Sequence, residues 1–368
     1  MTLKLPWPVD EYGPSLVSIL RLPEDCTGFV VVDDVSLGPA IGGVRLSPTV
    51  TPSEVVRLAR AMTLKNAAAS LPHGGGKSGI HAPHALDRAA RERVVRGFAQ
   101  AIRDITDYIP GPDMGTDETA MAWVHDEIGR AVGLPALLGG IPLDEIGATG
   151  YGLAVCAEAL QAAGRLTIAG ARVAVQGFGA VGRHAVRALY ERGARIVSVS
   201  DVTAAVYDPD GLNVPDLLAH KGGWSLFEYR DAKHLDDRDD LLWVDCDVLI
   251  PAAQPDVLNA TNVEGVRASV VLQGANIPAT AQAEATLHAR GVLCVPDIIA
   301  NAGGVICASV EYRGGTRADA FARIEELIRV NTSQLLADLA STGLAPRAVA
   351  QRMARARLDA ARAYRRTF

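Results

Sequence analysis

Lys65 and Lys77 are the first residues whose types and spacing suggest chemistry. Both lie in the stretch 62–79, MTLKNAAASLPHGGGKSG, where Gly74, Gly75 and Gly76 directly precede Lys77. A glycine run removes side chains and lets backbone and ligand approach closely. It would set Lys77 at the mouth of a turn, while Lys65 falls one helical turn beyond Met62 on the same face. Two ammonium groups that converge in a closed cleft depress one another's pKa. One would then act as a neutral base near physiological pH, and the other would stay charged and hold a carboxylate. The same spacing also fits two solvated lysines beside a loop. Asp113, in Pro110-Gly111-Pro112-Asp113-Met114-Gly115, reads either as a turn former or as a proton carrier.

A second constellation is Gly177-Phe178-Gly179-Ala180-Val181-Gly182, a G-x-G-x-x-G pattern. It follows a run that reads as a strand and opens one that reads as a helix, the context in which the pattern points to dinucleotide binding. Gly177, Gly179 and Gly182 would allow the tight turn and a close approach of backbone to pyrophosphate. Ala180 and Val181 would sit in the first turn of a helix whose positive end favours the anion. Asp201 ends the next strand. It would accept hydrogen bonds from both ribose hydroxyls and repel a 2′-phosphate, so NAD is expected over NADP. Arg172, Arg183 and Arg195 lie nearby in sequence, and one of them could bind that phosphate instead.

These residues need elements to hold them. Phe29, Val30, Val31 and Val32 form a β-rich run closed by Asp33 and Asp34. Thr51-Pro52-Ser53-Glu54 predicts a helix start, with a capping threonine, a first-turn proline and a glutamate to complete a capping box. Val55, Leu58, Ala59 and Met62 continue it at helical spacing until Leu71-Pro72. From about residue 143 the rhythm becomes strand, helix, strand. Strands are expected at 172–176, 195–200, 247–250, 269–273 and 292–296, with a helix at 179–191. That alternation means a parallel sheet covered by helices. The fold class is α/β in two domains. An N-terminal α/β domain takes residues 1–142, and a Rossmann-type doubly wound domain takes 143–330. The helices of 331–368 would pack back on the first.

Eight stretches, in order, carry a resemblance: GPAIGGVRL (38–46), MTLKNAAASLPHGGGKSG (62–79), GPDMGTDETAMAW (111–123), GATGYG (147–152), VAVQGFGAVG (173–182), CDVLIPAA (246–253), GAN (274–276) and PDIIANAGGV (296–305). They resemble the family that holds glutamate, leucine, valine and phenylalanine dehydrogenases. The chain length is similar to that of the short leucine-type members, whereas GTDETAMAW and GAN look more like the glutamate branch. The resemblance implies that Lys65 binds the substrate α-carboxylate and that Lys77 polarises the carbonyl and activates water. It implies that Asp113 carries protons to and from the substrate nitrogen. Gly42 and Gly43 would give the substrate room, and Met62 would line its site. Thr149, Asn276 and Asn301 match positions near the nicotinamide and its ribose, although Asn301 also fits a turn or a helix cap. The implied reaction is NAD-linked oxidative deamination of an L-amino acid to a 2-oxo acid and ammonia.

The side chain of that amino acid follows from departures. Where glutamate-specific relatives carry a lysine before the Gly-Gly pair, this chain has Ile41. A serine that helps bind the same carboxylate falls at Ala308. Burying an unpaired carboxylate costs several kcal/mol. A pocket bounded by Ile41 and Val305 is therefore expected to take an apolar substrate, and the small Gly111 and Ala308 leave valine, leucine, isoleucine, phenylalanine and tryptophan open. The alternatives are a glutamate dehydrogenase whose carboxylate partner comes from elsewhere, and a catalytically silent NAD-binding regulatory subunit.

Composition narrows the rest. The 36 Lys+Arg and 42 Asp+Glu give a net charge of -6, which argues against a nucleic-acid surface. Arg347, Arg352, Arg355, Arg357, Arg362, Arg365 and Arg366 crowd the C-terminus and are expected on a solvated helix face or a subunit contact. No apolar run approaches the ~18 residues of a membrane helix, and the N-terminus does not read as a secretory signal. The 5 cysteines are widely spaced without a C-x-x-C pair, so reduced thiols in a cytoplasm are expected, and no metal. Family likeness implies a homo-oligomer. Glycine is in excess, 36 in 368 residues, and the motifs above absorb much of it.

Overall fold

The computed structural model describes residues 7, 10–220 and 224–364. They fall into two compact units. The first takes the chain up to Leu143, then Val305–Ala320 and the residues from Met353 on; the second takes Asp144–Gly304 and Phe321–Arg352.

The first unit holds β1 (Leu16–Arg21), β2 (Thr27–Asp34), β3 (Ala40–Ser47), α1 (Pro52–Ala68), β4 (Gly74–His81), α2 (Arg88–Ala101), β5 (Tyr108–Pro112) and α3 (Glu118–Ile128). The sheet runs β1-β2-β4-β3-β5. β3 is parallel to β4 and β5, and β2 is antiparallel to β1 and β4. The FVVV run is buried on both faces, because side chains alternate along a strand. Val30 and Val32 pack with Val94, Phe98 and Met121 under α2 and α3. Phe29 and Val31 pack with Val55 and Ala59 of α1. Thr51 caps α1 by accepting from Glu54 N at 3.3 Å. The capping box is not completed as expected, since the Glu54 carboxylate accepts from Arg45 instead.

The glycine run is not the turn that its composition suggests. Gly74 to Gly76 begin β4, a central buried strand. Without side chains, this strand lies against Thr63 of α1 on one face and the Tyr108 ring on the other.

The second unit holds α4 (Ala148–Ala162), β6 (Arg172–Gln176), α5 (Ala180–Tyr190), β7 (Arg195–Ser200), β8 (Ala205–Tyr207), α6 (Val214–Ala219), β9 (Lys233–His234), β10 (Val248–Pro251), β11 (Val270–Leu272), α7 (Ala281–Ala289), β12 (Leu293–Val295) and α8 (Asp297–Ala300). Its sheet order is β12-β11-β10-β6-β7-β8-β9. The strands from β12 to β7 are parallel, as in a doubly wound Rossmann-type sheet. β8 and β9 add an antiparallel edge that the sequence pattern does not announce.

Three helices follow: α9 (Gly303–Tyr312), α10 (Arg317–Thr342) and α11 (Pro346–Arg362). Here the unit division differs from the expected blocks. Residues 305–320 join the first unit, and 331–352 stay with the second. Buried polar bonds account for this. Glu311 accepts from Gly133 N and Leu134 N at 2.9 and 3.0 Å, which ties α9 into the first unit. Arg347 is ion-paired to Glu284 and Asp297, which ties the start of α11 into the second.

The C-terminal arginines are therefore not simply a solvated face. Arg362 donates to Asp34 at 2.6 Å and lies over the Tyr12 ring, and Tyr12 donates to Asp359 at 2.9 Å. Arg365 and Arg366 lie outside the described residues. Among the described residues, no helix is long and apolar enough to cross a membrane. All five cysteines are buried and none is in a disulfide.

Candidate active site

Three parallel strands build the polar part of the site. Lys77 lies within β4, Arg45 near the end of β3, and Asp113 one residue past β5. Lys77 Nζ stands 2.9 Å from Asp113 Oδ2, and Arg45 Nε donates to the same oxygen at 3.1 Å. Sequence spacing pairs Lys77 with Lys65; the contact made here is with a carboxylate. The Asp113 backbone is fixed as well. Its N–H donates to Thr116 Oγ1 at 3.0 Å, and that hydroxyl donates to Val44 O at 2.8 Å. Burial works to raise the Asp113 carboxyl, but the Lys77 ammonium and the Arg45 guanidinium outweigh it and hold the group below the usual carboxylate range. Asp113 is therefore ionised at neutral pH.

Gly43 shows how closely this cluster is packed. A Cβ there would stand 2.7 Å from Asp113 Cβ, 2.8 Å from Pro112 O and 3.2 Å from Lys77 Nζ. Behind it, Tyr108 donates to the Gly42 carbonyl at 2.7 Å. Lys65 is buried in the last turn of α1, and Met62 is half-buried on the preceding turn. Arg45 lies within a quoted stretch, yet its residue type and position alone assign it no role.

The apolar part is a small buried cluster of Ile41, Ile109, Val132 and Ala308, with Leu143 against it. Gly111 adjoins it, its Cβ direction ending 3.1 Å from Val132 Cγ2. Ile41 and Ala308 thus lie in one cluster, with Gly111 against its Val132. Val305 is only half-buried and does not belong to the cluster. Ile109, Val132 and Leu143 are members that sequence reasoning missed; alternation along β5 could have found Ile109.

In the second unit, β6 turns sharply at Gly177, whose φ is +94°. Only glycine adopts this conformation readily. Gly182 must also lack a side chain, since a Cβ would fall 1.8 Å from Gly177 O. Gly179 caps α5 without a side-chain hydrogen bond, so the first N–H groups at Ala180 and Val181 are left for an anion. Gln176 Oε1, at the end of β6, is buried and unpartnered among the described residues, as is Asn301 Oδ1. Asn301 Nδ2 donates to Gly274 O and Ala275 O at 3.1 and 2.9 Å, which fixes Asn301 beside Asn276. Gly303 backs onto Ala148 and Thr149, which brings the start of α4 to the same region. These residues fit a dinucleotide.

Asp201 is more committed than expected. Its Oδ1 accepts from Thr203 N, Thr203 Oγ1 and Ala204 N, and its Oδ2 accepts from Leu226 N. A carboxylate oxygen offers about two acceptor positions, so Oδ1 is fully engaged while Oδ2 keeps one position for a ribose hydroxyl. Burial pushes its pKa up, the four donors outweigh that, and the group stays below the usual carboxylate range. Its charge still opposes a 2′-phosphate. Two of the three nearby arginines are already engaged: Arg172 pairs with Asp245 and Asp247, and Arg183 donates to Leu218 O.

Comparisons with known proteins agree on one family. Residues 139–365 match the glutamate/leucine/phenylalanine/valine dehydrogenases, and residues 23–130 match the dimerisation domain of the same family. The chain is 35% identical over 334 residues to the catabolic NAD-specific glutamate dehydrogenase RocG of Bacillus subtilis, covering 84% of this chain and 78% of that protein. It is similar to the hetero-hexameric glutamate dehydrogenase of Thermus thermophilus in its leucine-bound form, with 31% identity, a TM-score of 0.85, and 96% and 89% of the two chains covered. It is also similar to glutamate dehydrogenase from Peptoniphilus asaccharolyticus, with 27% identity, a TM-score of 0.76, and 95% and 90% covered.

Proposed function

Given that the chain belongs to the glutamate/leucine/phenylalanine/valine dehydrogenase family, we propose that it oxidatively deaminates an L-amino acid with NAD and runs the reductive amination in reverse. The observation that carries this reading is the buried Lys77–Asp113 contact. A bound nicotinamide would accept the hydride from the substrate Cα. Lys65 would hold the α-carboxylate. Asp113, held ionised, would take a proton from the substrate ammonium, because the amine must be neutral before hydride leaves. Lys77 would then stabilise the oxygen that develops when water adds to the imine, and ammonia would depart with a proton returned through Asp113. The NAD preference is supported by the Asp201 charge and by the NAD-specific relative. The enzyme is proposed to act as a homo-oligomer in the cytoplasm.

Two readings of the side chain rest on different observations. The relatives named above are all glutamate dehydrogenases, which favours glutamate over the apolar substrate expected from the sequence. The cluster around Ile41 favours an apolar side chain, because neither Ile41 nor Ala308 offers a charge or a hydroxyl to a second carboxylate. Steady-state rates with glutamate, leucine, valine and phenylalanine decide between them. On the apolar reading, Ile41→Lys raises kcat/KM for glutamate by roughly tenfold or more and lowers it for leucine. Glutamate as the best wild-type substrate would reject that reading. A silent regulatory subunit would bind NADH but turn over none of the four.

A further inference from the structure

Ile277 is in the left-handed region, with φ +49°. A β-branched residue adopts this conformation only under constraint, and such strain persists where the surroundings over-determine it. The surroundings are specific. Ile277 N donates to Asp297 Oδ2 at 2.9 Å. The other oxygen of that carboxylate, 2% exposed as a side chain, accepts from Arg347 Nη2 at 2.8 Å. The same nitrogen donates to Gln273 Oε1 at 2.7 Å, and Arg347 Nε donates to both oxygens of Glu284 at 2.8 and 2.7 Å.

One guanidinium thus gathers Gln273, at one end of the segment 274–276, and Asp297, which holds Ile277 at the other. Asn301 Nδ2 grips the segment from within, through Gly274 O and Ala275 O. No sequence motif involves Arg347, which comes from the start of α11. A guanidinium suits the task because its planar fork offers five donors in fixed directions, whereas an ammonium is a single point charge.

We propose that Arg347 is a positioning residue for the cofactor: through Asp297 it keeps Ile277 in its strained conformation and so sets Asn276 and Asn301 toward the nicotinamide ribose. This rests on the dinucleotide reading of the second unit. Arg347 itself touches neither substrate nor cofactor in this scheme, so its loss acts on NAD and not on the amino acid.

The test uses the full-length chain and NADH as the probe. In Arg347→Met the NADH dissociation constant and the KM for NAD rise about tenfold, while the KM for the amino acid changes by less than about twofold. Arg347→Lys does not restore the wild-type values. Ile277→Gly removes the strain without touching the guanidinium network, because glycine adopts a positive φ freely. In that background Arg347→Met raises the NADH dissociation constant by less than about threefold, a coupling read from the double-mutant cycle. If Arg347→Met does not fold, Asp297→Asn replaces it, and the same selective rise in the KM for NAD is expected. Unchanged NADH affinity in a folded Arg347→Met, or strictly additive effects in the cycle, overturns the proposal while leaving the dinucleotide reading in place. A wild-type chain that binds no NADH overturns both.

Discussion

Lys77→Ala lowers kcat by about 10⁴-fold or more and leaves NADH affinity within about twofold of the wild type. The magnitude combines two contributions. Proton transfer through a positioned side chain supplies roughly 10²–10⁴-fold, and stabilisation of a developing oxyanion by a buried donor supplies roughly 10²–10³-fold. Lys77 serves both, because it faces the reacting oxygen in the proposed scheme and stands 2.9 Å from the Asp113 carboxylate. Cofactor affinity persists because the glycine turn, Asp201 and Asn301 belong to the other unit. The variant also leaves a pH signature. Asp113 has a lowered pKa in the fold, so its contribution to stability is present above the ordinary carboxylate value and is lost as pH falls through the folded value. Removing the ammonium takes away part of that lowering. The Tm gap between wild type and variant should therefore narrow as the pH falls below the ordinary carboxylate value. A Lys77→Ala enzyme with near-normal kcat would show that Lys77 is structural.

Gly43→Ala is expected to lower kcat/KM by about 10²-fold. The added Cβ meets Asp113 Cβ at 2.7 Å and the Pro112 carbonyl at 2.8 Å, both closer than van der Waals contact allows. The carbonyl belongs to β5 and cannot retreat without breaking the sheet, so Asp113 must move and its bond to Lys77 must lengthen. A displacement of about 1 Å in a catalytic pair costs on the order of 10²-fold. Overpacking also destabilises the fold, by roughly 1–3 kcal/mol. Steady-state kinetics and thermal melts separate the two effects. A variant that loses stability but keeps the wild-type kcat would show that the Lys77–Asp113 spacing does not govern turnover.

The sequence discloses what is local. The FVVV strand, the Thr51-Pro52 start of α1 and the strand–turn–helix around Gly177 each announce themselves through periodicity, capping chemistry or turn glycines, and each forms. β4 is invisible to the same reasoning, since glycines carry no hydrophobic alternation and their removal of side chains fits a turn as well as a tightly packed strand. Long-range partners are also invisible. Arg45, Glu311 and Arg347 acquire roles only from carboxylates or backbone groups distant in the chain. Asp201 sits where the pattern places it, but four local donors claim its oxygens, and spacing cannot count donors. The apolar cluster is half legible. Ile41 and Ala308 stood out as departures, whereas Val132 and Leu143 carry no motif.

The order in which the chain is made bears on the first unit. Its strands all lie between Leu16 and Pro112, yet the groups that finish it come much later in the chain. Ala308 closes the apolar cluster, and Arg362 reaches Asp34 across a sequence separation of 328. Tyr12 finds Asp359 across 347. Closing loops of this size delays the contacts that reward them. The N-terminal sheet therefore keeps Asp34 without its arginine and Ile41 without its Ala308 neighbour until the segments that carry Ala308 and Arg362 reach it.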